Sequence, residues 1–373
     1  MVHPQRRLPH NISFFFTICT FLFNATETNA ADVSLKQVYK DVDVDSKDFV
    51  IHDPSRIITK GGKQMIAVTG EEQADGYNCG IETWYRKQNS KSNWKPGQCL
   101  LQTKPSWIEE EIPGQEGAYW APELVKDNVM LYSVAGFHVE PAITCLGIAR
   151  AEGKFPKGLT WVDSGKPLTC IFPNDYEYEQ SIIDPSTFVS FDAKVYLVTG
   201  GGTIVGVELD PNTYHPITGD WYSPNTTEWK KLARGPKVDD VKGGHDWVEA
   251  AYVHPNPDTG YYFLFVNWGT CCSGVDSTYN IRVGRSKNPL GPYKDKNGKK
   301  MNKGGGSIFL KKRSYMIGPG HISVHRGKKE KEVLSFHYYD KRRGGKAWIA
   351  ERLLKWQDDG WPKAGSLVSS YEL

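Results

Sequence analysis

The sequence predicts an all-β protein, a five-bladed β-propeller, and three observations lead to this prediction. Short runs rich in Val, Ile, Tyr, Phe and Trp alternate with Gly, Pro, Asn and Asp clusters, which is the pattern of strands joined by turns. One polar–small–aliphatic pattern recurs five times at a spacing typical of propeller blades. The chain has 373 residues, of which 39% are hydrophobic, so it can bury a large core.

Each repeat begins with an aliphatic strand and continues with a second, aromatic-rich strand. The first strands read IHDPSRII (51–58), YWAPELVK (119–126), IIDPSTFV (182–189), WVEAAYVH (247–254) and GPGHISVH (318–325). The polar residues taken as equivalent are Asp53, Glu123, Asp184, Glu249 and His321, at successive spacings of 70, 61, 65 and 72 residues. Because the innermost strands of a propeller line its central channel, these five side chains are predicted to converge at one mouth. A residue before proline prefers extended backbone, so both aspartates are predicted to be extended.

The N-terminus has the pattern of a secretory signal peptide over residues 1–30. Arg6 and Arg7 precede an interrupted apolar run that ends near the small residue Ala30. The run is short for a membrane span, although an N-terminal anchor is the alternative. We therefore expect a secreted, extracellular and monomeric protein, free of the membrane after signal removal, with one propeller domain over residues 31–373.

Six cysteines follow Cys19 of the predicted signal peptide, and an even number in an oxidising compartment favours disulfides. Loop lengths favour the pairs Cys79–Cys99 and Cys145–Cys170, while the adjacent Cys271 and Cys272 form a strained vicinal bridge or stay reduced. A zinc site is the competing interpretation, but no C-x-x-C or His pair has ligand spacing. The sequence Asn225-Thr-Thr is a candidate glycosylation site.

Carboxylates that converge at a propeller mouth point to glycoside hydrolysis. This reaction needs one protonated carboxyl group to donate to the leaving oxygen and one ionised carboxylate to activate water or attack. Clustered acids separate one another's pKa values, so a third carboxylate can keep the acid protonated near neutral pH. The Trp and Tyr residues near these motifs suit stacking on sugar rings.

These residues match a known family, and the chain resembles glycoside hydrolase family 43, within it the endo-1,5-α-L-arabinanases. The resemblance runs in order over roughly residues 48–362. The matching phrases are HDPSRI, YWAPEL, IIDPSTF, VEAAYV, CCSGVDSTYNIRVGRS, GPY, GGG, GPGHISV, HYYD and DDGWP. It implies a five-bladed propeller and hydrolysis of α-1,5-linked arabinan, a plant cell-wall polysaccharide, with inversion.

The resemblance also implies residue roles. Asp53 would be the general base that activates water, Glu249 the general acid, and Asp184 the residue that orients this acid and raises its pKa. His321 would lie near a central cation, usually calcium, held largely through waters. The predicted substrate-binding residues are Trp120, which would stack on a sugar ring, together with Gly136, Ser181 and Thr270.

Several positions depart from the family pattern. Glu123 stands where Asp is more frequent, Ser181 replaces a substrate-contacting Asn, and residues 198–206 lack the usual Ser and aromatic. Residues 71–118 and 210–246 are longer than in bacterial members. These departures leave open the exact glycan and the choice between endo and exo action, as in an arabinofuranosidase or xylosidase of this family.

Each candidate also has a structural interpretation. Asp53 and Asp184 could be turn residues that bind backbone N–H groups, Glu249 a solvent-facing strand residue, and His321 a buried, hydrogen-bonded histidine. For Glu123 the structural role is the preferred one, and Trp120 could belong to the core. A carbohydrate-binding propeller without turnover is the alternative to an enzyme, but binding alone does not need all three acids.

Charge is distributed unevenly. Residues 285–373 carry 21 Lys and Arg against 8 Asp and Glu, a net charge of +13, whereas the rest carries 25 against 35, or −10. A solvated face explains this excess, and attraction to an acidic polysaccharide such as pectin is the functional alternative. No nucleic-acid-binding motif is present, so the expected partner is a polysaccharide and not a nucleic acid.

Overall fold

The structure is a computed structural model that describes residues 50–70, 80–88, 94–101, 103–115, 117, 119–137, 139, 142–171, 180–217, 228–237 and 246–368. The predicted signal peptide, Cys79 and the Asn225 site therefore lie outside the described residues. Within the described residues, no helix combines the length and apolar character needed to cross a membrane.

The strands form five antiparallel sheets, each built from consecutive strands, and these are the five blades of a β-propeller. The blades are numbered I to V in chain order. Blade I consists of β1 (Ile58–Lys60), β2 (Lys63–Thr69), β3 (Ile81–Lys87) and β4 (Lys95–Cys99). Blade II consists of β5 (Tyr119–Lys126), β6 (Val129–Gly136), β7 (Ile143–Lys154) and β8 (Gly158–Asp163), with β9 (Thr169–Ile171) also paired to β7. The third blade is β10 (Ser186–Val189), β11 (Val195–Thr199), β12 (Thr203–Leu209) and β13 (Lys230–Arg234). The last two are β14 (Val248–Asn256), β15 (Tyr261–Trp268), β16 (Asn280–Ser286) and β17 (Ser307–Leu310), then β18 (Met316–Arg326), β19 (Glu332–Asp340), β20 (Lys346–Trp356) and β21 (Pro362–Leu367).

Few helical segments accompany the strands. The α-helix α1 (Ser106–Glu111) lies between blades I and II, and 3-10 turns occur at Gly274–Asp276, Met301–Lys303, Lys328–Glu330 and Lys341–Arg343. The all-β, five-bladed prediction is thus confirmed.

The hydrophobic core lies in layers between neighbouring blades. Strand β6 is an example, because Met130 and Tyr132 pack in the cluster shared with blade I, whereas Val129 and Leu131 pack in the cluster shared with blade III. Every residue of β6 is buried. A blade covered on both faces needs apolar side chains at successive positions, which explains the unbroken aliphatic runs in the sequence.

The ring closes between blade V and blade I through hydrogen bonds, and no described sheet mixes strands from the two ends of the chain. The Ile51 amide donates to the Ala347 carbonyl oxygen at 3.2 Å, and Arg86 pairs with Glu351 at 2.7 Å with both side chains at most 10% exposed. This buried pair ties the outer part of blade I to blade V.

One backbone position recurs in every blade with a left-handed conformation, and it corrects the repeat alignment made from the sequence. The residues are Asp53, Ala121, Asp184, Ala250 and His321, with φ between 44° and 55°. Glu123 and Glu249, which the alignment took as equivalents of Asp53, therefore lie two residues after and one residue before the true equivalents. The prediction followed residue polarity, whereas backbone geometry defines the repeat.

The same position contradicts the prediction of extended backbone at Asp53 and Asp184. In each blade the N–H of this residue donates to a side chain of the preceding blade. The five bonds are Asp53 to His337 Nδ1 (3.2 Å), Ala121 to Thr69 Oγ1 (2.9 Å), Asp184 to Ser133 Oγ (2.9 Å), Ala250 to Asp184 Oδ2 (3.0 Å) and His321 to Asn267 Oδ1 (3.1 Å). A left-handed residue other than glycine costs about 1–3 kcal/mol. The inter-blade bonds offset this cost and override the local preference imposed by proline.

Candidate active site

The repeated position brings the predicted site residues together around the central channel. Asp53 and Asp184 precede β1 and β10, Glu249 is the second residue of β14, and His321 lies within β18. Asp53 faces His321, with 3.3 Å between Oδ1 and Nδ1, and Asp184 accepts from the amide of Ala250, next to Glu249. The three acids and the histidine thus form one cluster.

Asp53 is surrounded by hydrogen-bond donors. Its Oδ2 lies 2.8 Å from His52 Nδ1 and accepts from Thr69 Oγ1 at 2.8 Å. Burial alone would raise the pKa of this carboxyl group. The positive charge of His52 and the hydrogen bonds from His321 and His52 outweigh burial, so the pKa of Asp53 lies well below its usual range. Asp53 is therefore ionised at neutral pH, as a general base must be.

Glu249 is the opposite case. Burial, followed by the negative charge of Asp184, raises the pKa of Glu249 to about 8. Two donors act against this rise, because Trp247 Nε1 lies 2.6 Å from Oε2 and Tyr279 OH lies 2.7 Å from Oε1. At neutral pH Glu249 is mostly protonated, which is the state that a general acid needs.

Asp184 lies between these two extremes. It is 8% exposed, and burial raises its pKa to about 6, opposed by the charge of His321 and by the hydrogen bond from the amide of Ala250. Near neutral pH Asp184 is mostly ionised, so its charge acts on Glu249. The arrangement combines one ionised carboxylate, one protonated carboxyl group and a third acid that separates them.

The predicted substrate-binding residues lie in different settings. Trp120 is half-buried and stacks on Phe137, which is 39% exposed, with ring centroids 5.8 Å apart. Thr270 is exposed and directly precedes Cys271.

Ser181 is 2% exposed, and a Cβ at Gly201 would lie 2.5 Å from its Oγ. Gly136 ends β6 against Ile112. Direct substrate contact by these residues stays a prediction.

Glu123 has the structural surroundings that the sequence analysis preferred for it. Its carboxylate pairs with the guanidinium of Arg56 and accepts from the amide and hydroxyl of Thr187, both at 3.3 Å. The side chain is 4% exposed. Glu123 thus connects blades I, II and III.

Sequence reasoning missed the groups that contact the predicted catalytic acids. His52 stacks on His337 at 4.4 Å between ring centroids, and its Nε2 lies 2.9 Å from Tyr339 OH. Trp247 and Tyr279 hold Glu249. The position of His52 next to Asp53, and of His337 and Tyr339 within HYYD, were the available signals, but a sequence does not show which blades meet.

The cysteines divide into two classes. Cys145 and Cys170 form the predicted disulfide, and Cys99 is disulfide-bonded as well, although Cys79 lies outside the described residues. Cys271 and Cys272 are free, which selects the reduced alternative. A hydrogen bond from Cys271 and the charge of His52 lower the pKa of Cys272 to about 5, against the effect of burial.

The described side chains around the channel do not form a site that would bind calcium directly. Among the described residues, two groups place three potential ligand atoms within 4.8 Å of one another: His52 with Asp53 and His337, and His52 with Cys271 and Cys272. Neither group is the oxygen-rich set that calcium prefers, and neither contains His321. A calcium ion held through waters near His321 stays a prediction.

Comparison with known proteins agrees with this geometry. The family model described as glycosyl hydrolases family 43 matches residues 50–362. An extracellular exo-α-(1→5)-L-arabinofuranosidase of Cellvibrio japonicus is 28% identical, over 76% of this chain and 83% of its own. An extracellular endo-α-(1→5)-L-arabinanase of Bacillus subtilis is 30% identical, over 84% of this chain and 87% of its own.

A solved structure extends the match to three dimensions. The α-L-arabinanase of Cellvibrio cellulosa, solved in complex with arabinohexaose, superposes with a TM-score of 0.69 at 26% identity and covers 85% of this chain and 96% of its own. The region matched by the family model, residues 50–362, includes strands of all five blades and the residues Asp53, Asp184 and Glu249. The chain belongs to glycosyl hydrolases family 43 and is a glycoside hydrolase.

Proposed function

We propose that this hydrolase is secreted and cleaves α-1,5-linked L-arabinan with inversion at the anomeric carbon. The observation that carries the mechanism is the opposite ionisation of Asp53 and Glu249 within one cluster. The substrate and the secretion are supported by the relatives, which are named as extracellular enzymes acting on α-(1→5)-L-arabinan or arabinofuranosides.

The proposed reaction is a single displacement. Asp53 removes a proton from a water molecule, and the water oxygen attacks the anomeric carbon. The bond to the leaving oxygen breaks, its electron pair stays on that oxygen, and Glu249 donates a proton to it. Asp53 ends protonated and Glu249 ionised, and exchange with solvent restores both. In inverting enzymes the two carboxyl groups stand roughly 6.5–9.5 Å apart to admit the water.

An exo-acting hydrolase is the second candidate, and helix α1 favours it. This helix belongs to the long segment 71–118, and its Trp107 and Ile108 are buried. Ile112 just after α1 contacts Gly136, one residue before the Phe137 that stacks on Trp120. Ile112 therefore stands beside the proposed sugar platform, where it and the end of α1 would block one end of the groove.

Product analysis tests both candidates. The purified protein is incubated with linear arabinan, branched arabinan, xylan and galactan, and the products are separated by chromatography. A ladder of arabino-oligosaccharides supports endo action, and arabinose alone supports exo action. Proton NMR during the first turnovers gives the anomer, and a product that retains the α-configuration contradicts the single displacement.

Glu249→Gln tests the assignment of the acid. General acid catalysis is worth about 10²–10⁴-fold, so turnover of arabinan should fall by that factor. An aryl arabinoside with a nitrophenolate leaving group needs little protonation and should lose much less activity. The exposed Glu152→Gln is the matched control. Equal losses on both substrates would contradict the role of Glu249, and no products from any glycan with folded wild-type protein would favour a binding module.

A further inference from the structure

A cluster of soft ligands lies beside the proposed general base, and the hydrolytic mechanism does not use it. The Sγ atoms of Cys271 and Cys272 each lie 3.8 Å from His52 Nε2. Both thiols are free, Cys272 is exposed, and His52 is partly buried. The cluster is therefore reachable from solvent.

The spacing of these atoms fits a tetrahedral metal ion. With Zn–S bonds of about 2.3 Å and Zn–N bonds of about 2.0–2.1 Å, sulfur and nitrogen ligands lie about 3.6 Å apart. The two observed distances of 3.8 Å are close to this value, and all three ligand atoms lie within 4.8 Å of one another. Thiolate and imidazole ligands select zinc-like cations over calcium or magnesium.

The surroundings of His52 orient its ring as metal-binding histidines require. Its Nδ1 lies 2.8 Å from Asp53 Oδ2, and stacking on His337 fixes the ring plane. A carboxylate on one imidazole nitrogen directs the lone pair of the other toward a metal. Here the other nitrogen is Nε2, which faces both sulfur atoms and Tyr339 OH, and binding of a metal ion would displace the proton that the charged His52 carries there.

We propose that Cys271, Cys272 and His52 form an inhibitory site for a thiophilic divalent cation such as Zn²⁺ or Cd²⁺. A cation held there would stand at the solvent-exposed mouth of the channel, next to Thr270 and to the residue that precedes Asp53, and would keep a substrate from reaching Asp53. The effect on turnover rests on the proposed function, whereas binding of the cation does not.

Binding is measured first, without any substrate. Free thiols are counted with a chromogenic disulfide in protein without the predicted signal peptide, which carries Cys19, and the two described free thiols, Cys271 and Cys272, are expected to react. Co²⁺ is then titrated as a spectroscopic probe, followed by Zn²⁺ in competition. The expected result is one Co²⁺ per chain with thiolate-to-cobalt charge-transfer absorption that Zn²⁺ abolishes.

Variants assign the ligands. Cys272→Ser should weaken the charge-transfer absorption, and the double variant Cys271→Ser with Cys272→Ser should remove it. The neighbouring Ser273→Ala is the matched control and should keep it. Absorption that persists in the double variant would overturn the site, and so would a wild-type protein whose two cysteines are already bonded to each other and bind no Co²⁺.

Inhibition is measured separately, each protein relative to its own metal-free activity. A cation that blocks access to Asp53 should remove most of the wild-type turnover at saturating Zn²⁺, and a chelator should restore it. The double variant should resist Zn²⁺. Stoichiometric Zn²⁺ binding without inhibition would overturn the inhibitory role of the site. A protein that binds Zn²⁺ but never hydrolyses a glycan would overturn the proposed function and leave the binding site in place.

Discussion

Two substitutions should move the alkaline limb of the pH–rate profile in opposite directions. Asp184 raises the pKa of Glu249 through its charge, so Asp184→Asn should lower that pKa. Tyr279 stabilises the ionised form through a 2.7 Å hydrogen bond, so Tyr279→Phe should raise it. The side-chain amide that Asp184→Asn introduces still offers an oxygen to the Ala250 N–H, so the backbone contact is kept.

The magnitude follows from the pKa of about 8 for Glu249. A hydrogen bond to a charged group is worth about 1.5–3 kcal/mol, or roughly one to two pKa units at 1.36 kcal/mol per unit. At pH 8 about half of the wild-type molecules carry the catalytic proton. A fall of one unit leaves about a tenth, a loss of about fivefold, whereas a rise of one unit gives about a fivefold gain at pH 9.

The assay is kcat/KM against pH, because this ratio reports the pKa values of the free enzyme. Asp258→Asn and Tyr261→Phe are the matched controls, since both residues belong to blade IV and contact none of the three acids. Circular dichroism at each pH confirms folding. If the alkaline limbs of the two variants move in the same direction, or do not move, the assignment is refuted. Glu249 would then not be an acid whose pKa is raised by the charge of Asp184 and lowered by the hydrogen bond from Tyr279.

Three further predictions concern stability and the cation. Glu123→Gln leaves Arg56 without its charged partner and should lower the free energy of unfolding by about 3 kcal/mol in guanidinium titrations; a loss below about 1 kcal/mol would mean that the pair is not buried in solution. Replacing both Cys145 and Cys170 by Ser should cost about 2–5 kcal/mol in the same assay, and an unchanged midpoint would contradict a structural disulfide. If a water-held calcium ion lies near His321, exhaustive chelation should lower the activity or the melting temperature and added Ca²⁺ should restore it, whereas indifference to chelation would argue against a functional cation.

The fold and the three acids could be predicted from the sequence because local pattern carries them. Unbroken aliphatic runs mark strands that are buried on both faces, and the Asp-Pro-Ser motifs of Asp53 and Asp184 stand at repeat boundaries. The position of Glu249 came from the order of motifs. The alignment compared polar residues and therefore missed Ala121 and Ala250. The repeated feature is a backbone conformation, and in two blades an alanine adopts it.

The supporting residues could not be predicted, since they come from other blades. His337 is 284 residues from Asp53, and Tyr339 is 287 residues from His52. The sequence around them gives no local signal that they contact the predicted catalytic acids. Only closure of the ring between blades V and I brings the imidazoles of His52, His321 and His337 around one carboxylate.

The repeated inter-blade hydrogen bond explains why Asp184 is suited to act on Glu249. In four blades the acceptor is a side chain on the second strand: Thr69, Ser133, Asn267 and His337. In blade III the corresponding residue is Gly200. Its amide donates a hydrogen bond to the Ile183 carbonyl oxygen, but it has no side chain that could accept one.

The carboxylate of Asp184 takes over this role and accepts from the Ala250 N–H at 3.0 Å. Because Ala250 directly follows Glu249, the bond that joins blades III and IV also fixes the third acid against the backbone of the proposed general acid. Burial raises the pKa of Asp184, and the charge of His321 together with this bond keeps it near 6. The charge needed to hold the proton on Glu249 is therefore present at neutral pH. The absence of a side chain at Gly200 thus places a proposed catalytic carboxylate, Asp184, in a structural hydrogen bond. This bond connects the assembly of the ring to the ionisation of the proposed active site.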